Sequence, residues 1–392
     1  MGIWEQHQEM DRASIYVHIP FCVRKCLYCD FASYEGKRPL FEPYVQALLC
    51  ETRLAAERHL GMRIPTIYFG GGTPNVCSPN LLASMLDEIR LGFMVDADAE
   101  ISFEANPGVT PHPRPLSAKG RGEFPRLREA GFNRVSIGVQ SLHDNELQRM
   151  GRVHTAEQAA EAFHEARAAG FENVSVDLMY GIPGQTGESW RETLGQVIGL
   201  GPEHVSLYSL TVEEGTPFHR MQCEGRLELP GNDIEATMYE DAIEILTAAR
   251  FVHYEISNFA RPGFECRHNI TYWRNEPYLG FGAAATSYIG GARATSVADA
   301  EEYVRRVEAG ESATESEECL TGRKKMGETM FLGLRMIQGV DRQNARYARA
   351  ERAFAPEIQR LMERGLLESA DGFLRLTRRG LFLANDAFAE FV

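Results

Sequence analysis

An α/β chain folding as an open or partial (β/α)6 barrel, followed by a small winged-helix-like C-terminal domain, is what the sequence predicts. Three observations predict it. Six apolar, β-branched runs alternate with helix-length amphipathic segments. The chemically distinctive residues fall at the carboxyl ends of those runs, which is where barrels of parallel strands carry function. Beyond residue 320 the rhythm changes to helix, hairpin and helix.

The six strand candidates are Ser14 to Ile19, Thr66 to Gly70, Glu100 to Ala105, Arg134 to Gln140, Val174 to Tyr180 and His204 to Thr211. Between them, Tyr44 to Leu60, Leu81 to Leu91, Ala156 to Ala169 and Asp233 to Ala249 carry apolar residues at helical spacing. Such alternation predicts parallel strands joined by right-handed crossovers. One stretch breaks it. Val109 to Glu123 holds Pro111, Pro113, Pro115, Gly120 and Gly122, which excludes a regular helix or central strand and reads as an exposed, solvated insertion before a short helix around Pro125 to Ala130. After Arg261 the chain becomes rich in glycine turns and aromatics. From Thr321 two amphipathic stretches lead to a hairpin turning at Asp371-Gly372 and a last helix. The expected division is therefore a barrel over residues 1–260, a connecting region over 261–320 and the C-terminal domain over 321–392.

Three thiols lie in Cys22-Val-Arg-Lys-Cys26-Leu-Tyr28-Cys29, directly after the first strand. On one loop they can hold three irons of a four-iron four-sulfur cluster and leave the fourth open to a small molecule, whereas an electron-transfer cluster takes four cysteines. A zinc knuckle is the competing reading, with His18 as its fourth ligand. The strand direction of His18 and the spacing favour the cluster. Gly70-Gly71-Gly72-Thr73-Pro74 closes the second strand with backbone that a ligand can approach closely. Glu104 and Asp177 offer carboxylates for hydroxyls or an ammonium group, and Arg152 offers a fork for a carboxylate.

Composition narrows the function. A net charge of -14 repels nucleic acid and anionic membrane. With no long basic helix in the C-terminal stretch, DNA binding is the weakest reading of the winged-helix pattern, and packing or substrate covering is preferred. Eight cysteines, five of them scattered, do not form a disulfide framework and imply a reducing cytoplasm. Residues 1–13 are polar without a signal-like apolar core, and no run of about twenty apolar residues follows, so a soluble cytoplasmic chain is expected, reaching a membrane only through a partner.

The spacing Cys-x3-Cys-x2-Cys with an aromatic before its last cysteine resembles the radical S-adenosylmethionine (SAM) superfamily. The resemblance extends further. Tyr16-Val-His-Ile-Pro-Phe-Cys22, Gly-Gly-Gly-Thr-Pro74, Phe103-Glu-Ala-Asn-Pro-Gly108, Ser136-Ile-Gly-Val-Gln-Ser141, Gly151-Arg-Val-His154 and Asp177-Leu-Met-Tyr-Gly-Ile-Pro183 together are similar to the oxygen-independent coproporphyrinogen III oxidase family. The resemblance implies a 4Fe-4S cluster on Cys22, Cys26 and Cys29 with Tyr28 beside it. It implies SAM contacts at Tyr16, Gly71, Gly72, Thr73, Glu104, Gln140, Arg152 and Asp177, and at Thr211. Two departures are similar to the heme-chaperone sister group instead: Phe31 stands where the oxidases carry a fourth cysteine, and only 13 residues precede the first strand where the oxidases carry a covering extension. His268-Asn-Ile-Thr-Tyr272-Trp273 matches that group's His-Asn-x-x-Tyr motif, which implies heme binding by His268 and Tyr272 and transfer to an acceptor protein. The family's Gly-x-Gly-x-Gly-Ala-His-Ser is here Gly280-Phe-Gly-Ala-Ala-Ala-Thr286-Ser287, so a histidine is replaced by Thr286. Oxidative decarboxylation of coproporphyrinogen III is the alternative activity.

Overall fold

The computed structural model describes residues 11–109 and 122–392. The expected insertion lies almost wholly outside the described residues. A 12-stranded sheet organises the main body, and its centre is six adjacent parallel strands in chain order. These are Ser14–Ile19, Arg63–Gly71, Met94–Ala105, Arg134–Gln140, Asn173–Tyr180 and His204–Ser209. Every neighbouring pair among them is parallel. The barrel is open, and both its edges are extended. Tyr278–Phe281 lies parallel beside the first strand, and three antiparallel strands reaching Thr314–Cys319 follow outward from it. Asn258–Ala260 and Val252–Glu255 extend the opposite edge beyond the sixth strand. The sheet therefore runs without a break across residue 260.

Helices cover the outer face because their apolar stripes have nowhere else to go. Phe41–Arg58 buries Tyr44, Val45 and Leu48, and Pro79–Gly92 buries Leu82, Leu86 and Ile89. Ala156–Ala168 and Gly187–Leu200 each start on a capping box, Thr155 with Gln158 and Thr186 with Ser189. Gly187–Leu200 is absent from the helical segments read in the sequence. Trp190 fixes it: the side chain is fully buried and its Nε1 donates to the Met238 carbonyl at 2.7 Å, tying it to Asn232–Ala248. Among the described residues no helix is long and apolar enough to cross a membrane.

The C-terminal segment buries its own apolar cluster, in which Met330, Leu334, Leu361, Leu366 and Phe391 are nearly inaccessible. Its hairpin pairs Leu367–Ala370 with Phe373–Leu376, and both turn residues are left-handed, Asp371 at φ 54° and Gly372 at φ 85°. That is the Asp-Gly turn the sequence announces.

Ala284 sits at φ 58° where the family pattern has glycine. A Cβ in the left-handed region costs on the order of 1 kcal/mol. Ala284→Gly is therefore expected to raise stability by about that amount, read as an increase in the urea midpoint at unchanged slope. An unchanged or lower midpoint would contradict it.

Candidate functional site

The carboxyl ends of the six parallel strands surround a cavity of about 370 Å³. The cysteine loop forms one wall. It is pinned at Leu27, whose N–H donates to the Met150 carbonyl at 3.0 Å and whose carbonyl accepts from Phe218 N–H at 3.0 Å. Gly151 makes this approach possible: at φ 77°, a Cβ there would lie 2.9 Å from Leu27. Cys22, Cys26 and Cys29 all line the cavity, each partly exposed. Burial pushes the Cys22 and Cys29 thiols above their ordinary values. Cys26 has a cation beside it, with Arg152 Nη1 3.6 Å from its Sγ.

Arg152 is the hub of a polar chain across the cavity wall. Its Nη2 donates to Asn106 Oδ1 at 2.5 Å and to the Gly138 carbonyl at 2.6 Å. Asn106 Nδ2 donates to Thr73 Oγ1 at 2.7 Å, and Thr73 Oγ1 lies 3.5 Å from Cys22 Sγ. Asn106 and Gly138 both lie within quoted motifs, yet neither was singled out from the sequence. A Cβ on Gly138 would meet Asn106 Oδ1 at 2.5 Å and Arg152 Nη2 at 3.1 Å, so the bare glycine leaves the space through which Arg152 passes, a contact visible only in the fold.

Gly71 and Gly72 form a cradle in which any side chain would collide. A Cβ on Gly71 would lie 2.6 Å from the His18 ring, and one on Gly72 2.6 Å from the Phe21 carbonyl and 3.0 Å from Cys22 Sγ. Opposite them, Gln140 ends the fourth strand at φ 65°, beside a register shift, and its Oε1 is buried with no hydrogen-bond partner. Strain and an orphaned acceptor on one cavity residue are the marks of a ligand contact. Asp177 accepts from Ser136 Oγ at 2.9 and 3.0 Å, and burial raises it from the usual carboxylate range while those bonds hold it down.

Glu104 is held on both oxygens, by Tyr68 Oη–H at 3.0 Å and Gly71 N–H at 3.1 Å. Burial first and the Asp177 carboxylate second push it up to about 7. The folded state thus keeps a proton that the unfolded chain releases near pH 4 to 5, so stability falls as pH rises through that window to about 7 and stays reduced above it. Glu104→Gln cannot ionise. Without bound cofactors it should be more stable than the parent by on the order of 2 kcal/mol at pH about 8 and nearly equal at pH about 4.5, as measured by denaturant unfolding.

The three thiols and the cradle suit a cluster with one open iron better than a zinc knuckle. Among the described residues no group of three His, Cys, Asp or Glu side chains converges on a single metal ion. His18 is occupied at both ring nitrogens, by Tyr16 Oη and the Ala32 carbonyl, each at 2.9 Å. Tyr28, Gly71, Gly72, Thr73, Glu104, Gln140, Arg152, Asp177 and Thr211 all line the cavity with the cysteines.

Three expected site residues lie elsewhere. Tyr16 points into the barrel below the cavity, its hydroxyl on His18. His268 and Tyr272 belong to a short helix, Arg267–Trp273, that closes the opposite end of the barrel. His268 is 1% exposed. Its Nδ1 lies 2.8 Å from Thr66 Oγ1 and its Nε2 2.9 Å from Tyr272 Oη, and burial drives it down to about 3. Thr286 pairs with Thr295 across the extended sheet edge, Oγ1 to Oγ1 at 3.0 Å.

The radical SAM superfamily model matches residues 16–197, and a HemN C-terminal domain model matches residues 320–383. The chain is 38% identical over 384 residues to a heme chaperone HemW of Bacillus subtilis, covering 97% of this chain and 99% of that one. It is 36% identical over 382 residues to a heme chaperone HemW of Lactococcus lactis, covering 97% of each. Among solved structures, the coproporphyrinogen III oxidase HemN of Escherichia coli superposes with a TM-score of 0.81 at 24% identity, covering 100% of this chain and 93% of that one, a likeness of fold.

Proposed function

The chain belongs to the HemW family of radical SAM proteins, and from that membership and the cavity chemistry we propose that it is a heme chaperone, binding heme and passing it to an acceptor protein. In this reading Cys22, Cys26 and Cys29 ligate three irons of a 4Fe-4S cluster in a reducing cytoplasm, and Tyr28 and Arg152 flank it. Gly71, Gly72 and Thr73 give backbone to SAM at close range, Glu104 and Asp177 take its amino group and ribose hydroxyls, and Gln140 gains the partner its buried oxygen lacks. Thr211 closes the far wall, while Tyr16 acts from behind by fixing His18. When bound, the cluster and SAM supply one-electron reductive cleavage of the sulfonium. The protein's part is to orient the pair and to hold the Arg152 guanidinium 3.6 Å from the Cys26 sulfur.

The convergence of the thiols, the glycine cradle and the orphaned Gln140 oxygen on one cavity supports the cofactor assignment. Phe31, 64% exposed in the position of the oxidases' fourth cysteine, favours chaperone over oxidase. The heme role of His268 and Tyr272 carries a conformational requirement. Both ring nitrogens are engaged, so iron reaches His268 only after the helix Arg267–Trp273 leaves the barrel floor. In this reading residues 1–260 carry the cofactor contacts, 261–320 carry the heme motif together with strands that extend the same sheet, and 321–392 form a covering domain.

Anaerobic reconstitution followed by parallel assays tests the proposal. About one heme per chain should bind, and coproporphyrinogen should not be consumed with cluster, SAM and reductant supplied. Robust protoporphyrinogen formation would replace the chaperone reading with the oxidase one.

A further inference from the structure

We infer that Tyr68 is a positioning residue through which the helix Arg267–Trp273 on the barrel floor sets the cavity carboxylate Glu104, so that the His-Asn-x-x-Tyr motif acts on SAM binding from beneath. The inference rests on Glu104 contacting SAM, as proposed above. Inward-facing side chains of the first two barrel strands are stacked in layers: Ser14 and Thr66 lowest, then Tyr16 and Tyr68, then His18 and Gly70. Tyr68 spans the gap between floor and cavity. Its hydroxyl donates to Glu104 Oε1 at 3.0 Å, and its ring stacks on His268 at 5.2 Å with a 25° interplanar angle. Tyr16 stacks on it as well, at 6.3 Å and 21°. Gly70 leaves the phenol its place, since a Cβ there would lie 2.9 Å from the Tyr68 ring.

His268 is itself immobilised, which makes it a support rather than a loose neighbour. Thr66 gives its hydroxyl hydrogen to Ser14 Oγ at 2.8 Å, so His268 Nδ1–H donates to Thr66 and Nε2 accepts from Tyr272. The backbone N–H of His268 donates to Glu100 Oε1 at 3.0 Å. The floor helix is anchored further by Asn275, whose Nδ2 donates to Glu328 Oε2 at 3.1 Å on the C-terminal helix Gly322–Gly333. A contiguous path of hydrogen bonds and ring contacts thus runs from the C-terminal segment through the motif to Glu104. By linkage, a ligand that draws His268 away from Tyr68 weakens the hold on SAM, and SAM opposes that ligand equally.

Removing the Tyr68 hydroxyl frees one oxygen of Glu104 and removes a bond that favours its ionised form. The charged and titratable groups facing that carboxylate are Tyr16, Tyr68, Arg134, Asp177, Tyr208 and Tyr272. Calorimetric titration of SAM into the anaerobically reconstituted full chain, across a pH range spanning neutrality, reads the effect. Tyr68→Phe keeps the ring and should weaken SAM about tenfold, moving the pH midpoint of binding upward. His268→Gln removes the ring stack but keeps an amide between Thr66 and Tyr272, and should move affinity and midpoint the same way. Glu104→Gln should weaken binding and abolish the midpoint. If Tyr68→Phe binds SAM like the parent while Glu104→Gln does not, the positioning role is overturned and the site assignment stands. If Tyr68→Phe weakens binding and His268→Gln leaves it unchanged, coupling to the floor helix is overturned. If Glu104→Gln binds normally, the SAM contact itself is wrong.

Discussion

Replacing Cys22, Cys26 and Cys29 together by alanine is expected to abolish iron and sulfide uptake on anaerobic reconstitution, while Cys223→Ala takes up both like the parent. The three thiols are brought to one cavity wall by a loop pinned through Leu27, whereas Cys223 and Cys319 are exposed and Cys77 and Cys266 are buried without lining that cavity. A cluster needs thiolates. Burial holds Cys22 and Cys29 in the thiol form, so metal binding must release their protons, and reconstitution should quicken as pH rises above neutrality. Single replacements are informative too: Cys26→Ala removes the sulfur that faces Arg152 and leaves a buried guanidinium short of a partner. Parent-like iron and sulfide in the triple variant, with the fold intact by circular dichroism, would sink the cluster assignment.

The parts of the fold legible in the sequence are those fixed by local pattern. Ser14–Ile19 and Arg134–Gln140 read cleanly because each keeps an unbroken apolar face, Ile15, Val17 and Ile19 in the first and Val135, Ile137 and Val139 in the second. Met94–Ala105 read short at its start, since Asp96 and Asp98 interrupt the pattern where its pairing with Arg63–Gly71 shifts register between Ile64 and Thr66. Gly187–Leu200 went unread because Gly195 and Gly199 dilute its apolar stripe, and its position depends on Trp190 reaching a carbonyl 48 residues away. The candidate site was legible to the extent that it sits at strand ends. Period-two alternation places Tyr16 on the inner face with His18, yet which inner residues reach the mouth depends on strand stagger, which the sequence does not display. His268 is the sharper case. Nothing local tells which end of a barrel a following helix will close, and its partner Thr66 is 202 residues away.

His268→Ala is the second large effect expected. The variant loses a fully enclosed ring, the stack on Tyr68, and both ring-nitrogen bonds, leaving the hydroxyls of Thr66 and Tyr272 without that partner. A cavity plus a Tyr272 hydroxyl left without its acceptor puts the cost on the order of 3 kcal/mol, while Thr66 keeps its bond to Ser14. Equilibrium unfolding without heme should show it as a lower denaturant midpoint, and a loss under about 1 kcal/mol would mean that the floor rearranges freely. Because that destabilisation confounds any spectrum taken on the alanine variant, His268→Gln carries the heme test. It retains an amide between Thr66 and Tyr272 and should stay folded, but it cannot supply imidazole to iron. If His268 ligates heme, the helix Arg267–Trp273 must leave its seat, so adding heme to the parent should speed amide exchange across that helix and the Soret band should differ in His268→Gln. Heme bound with unchanged exchange there, and an identical Soret band in His268→Gln, would leave the motif as the barrel floor alone and move the heme to another surface.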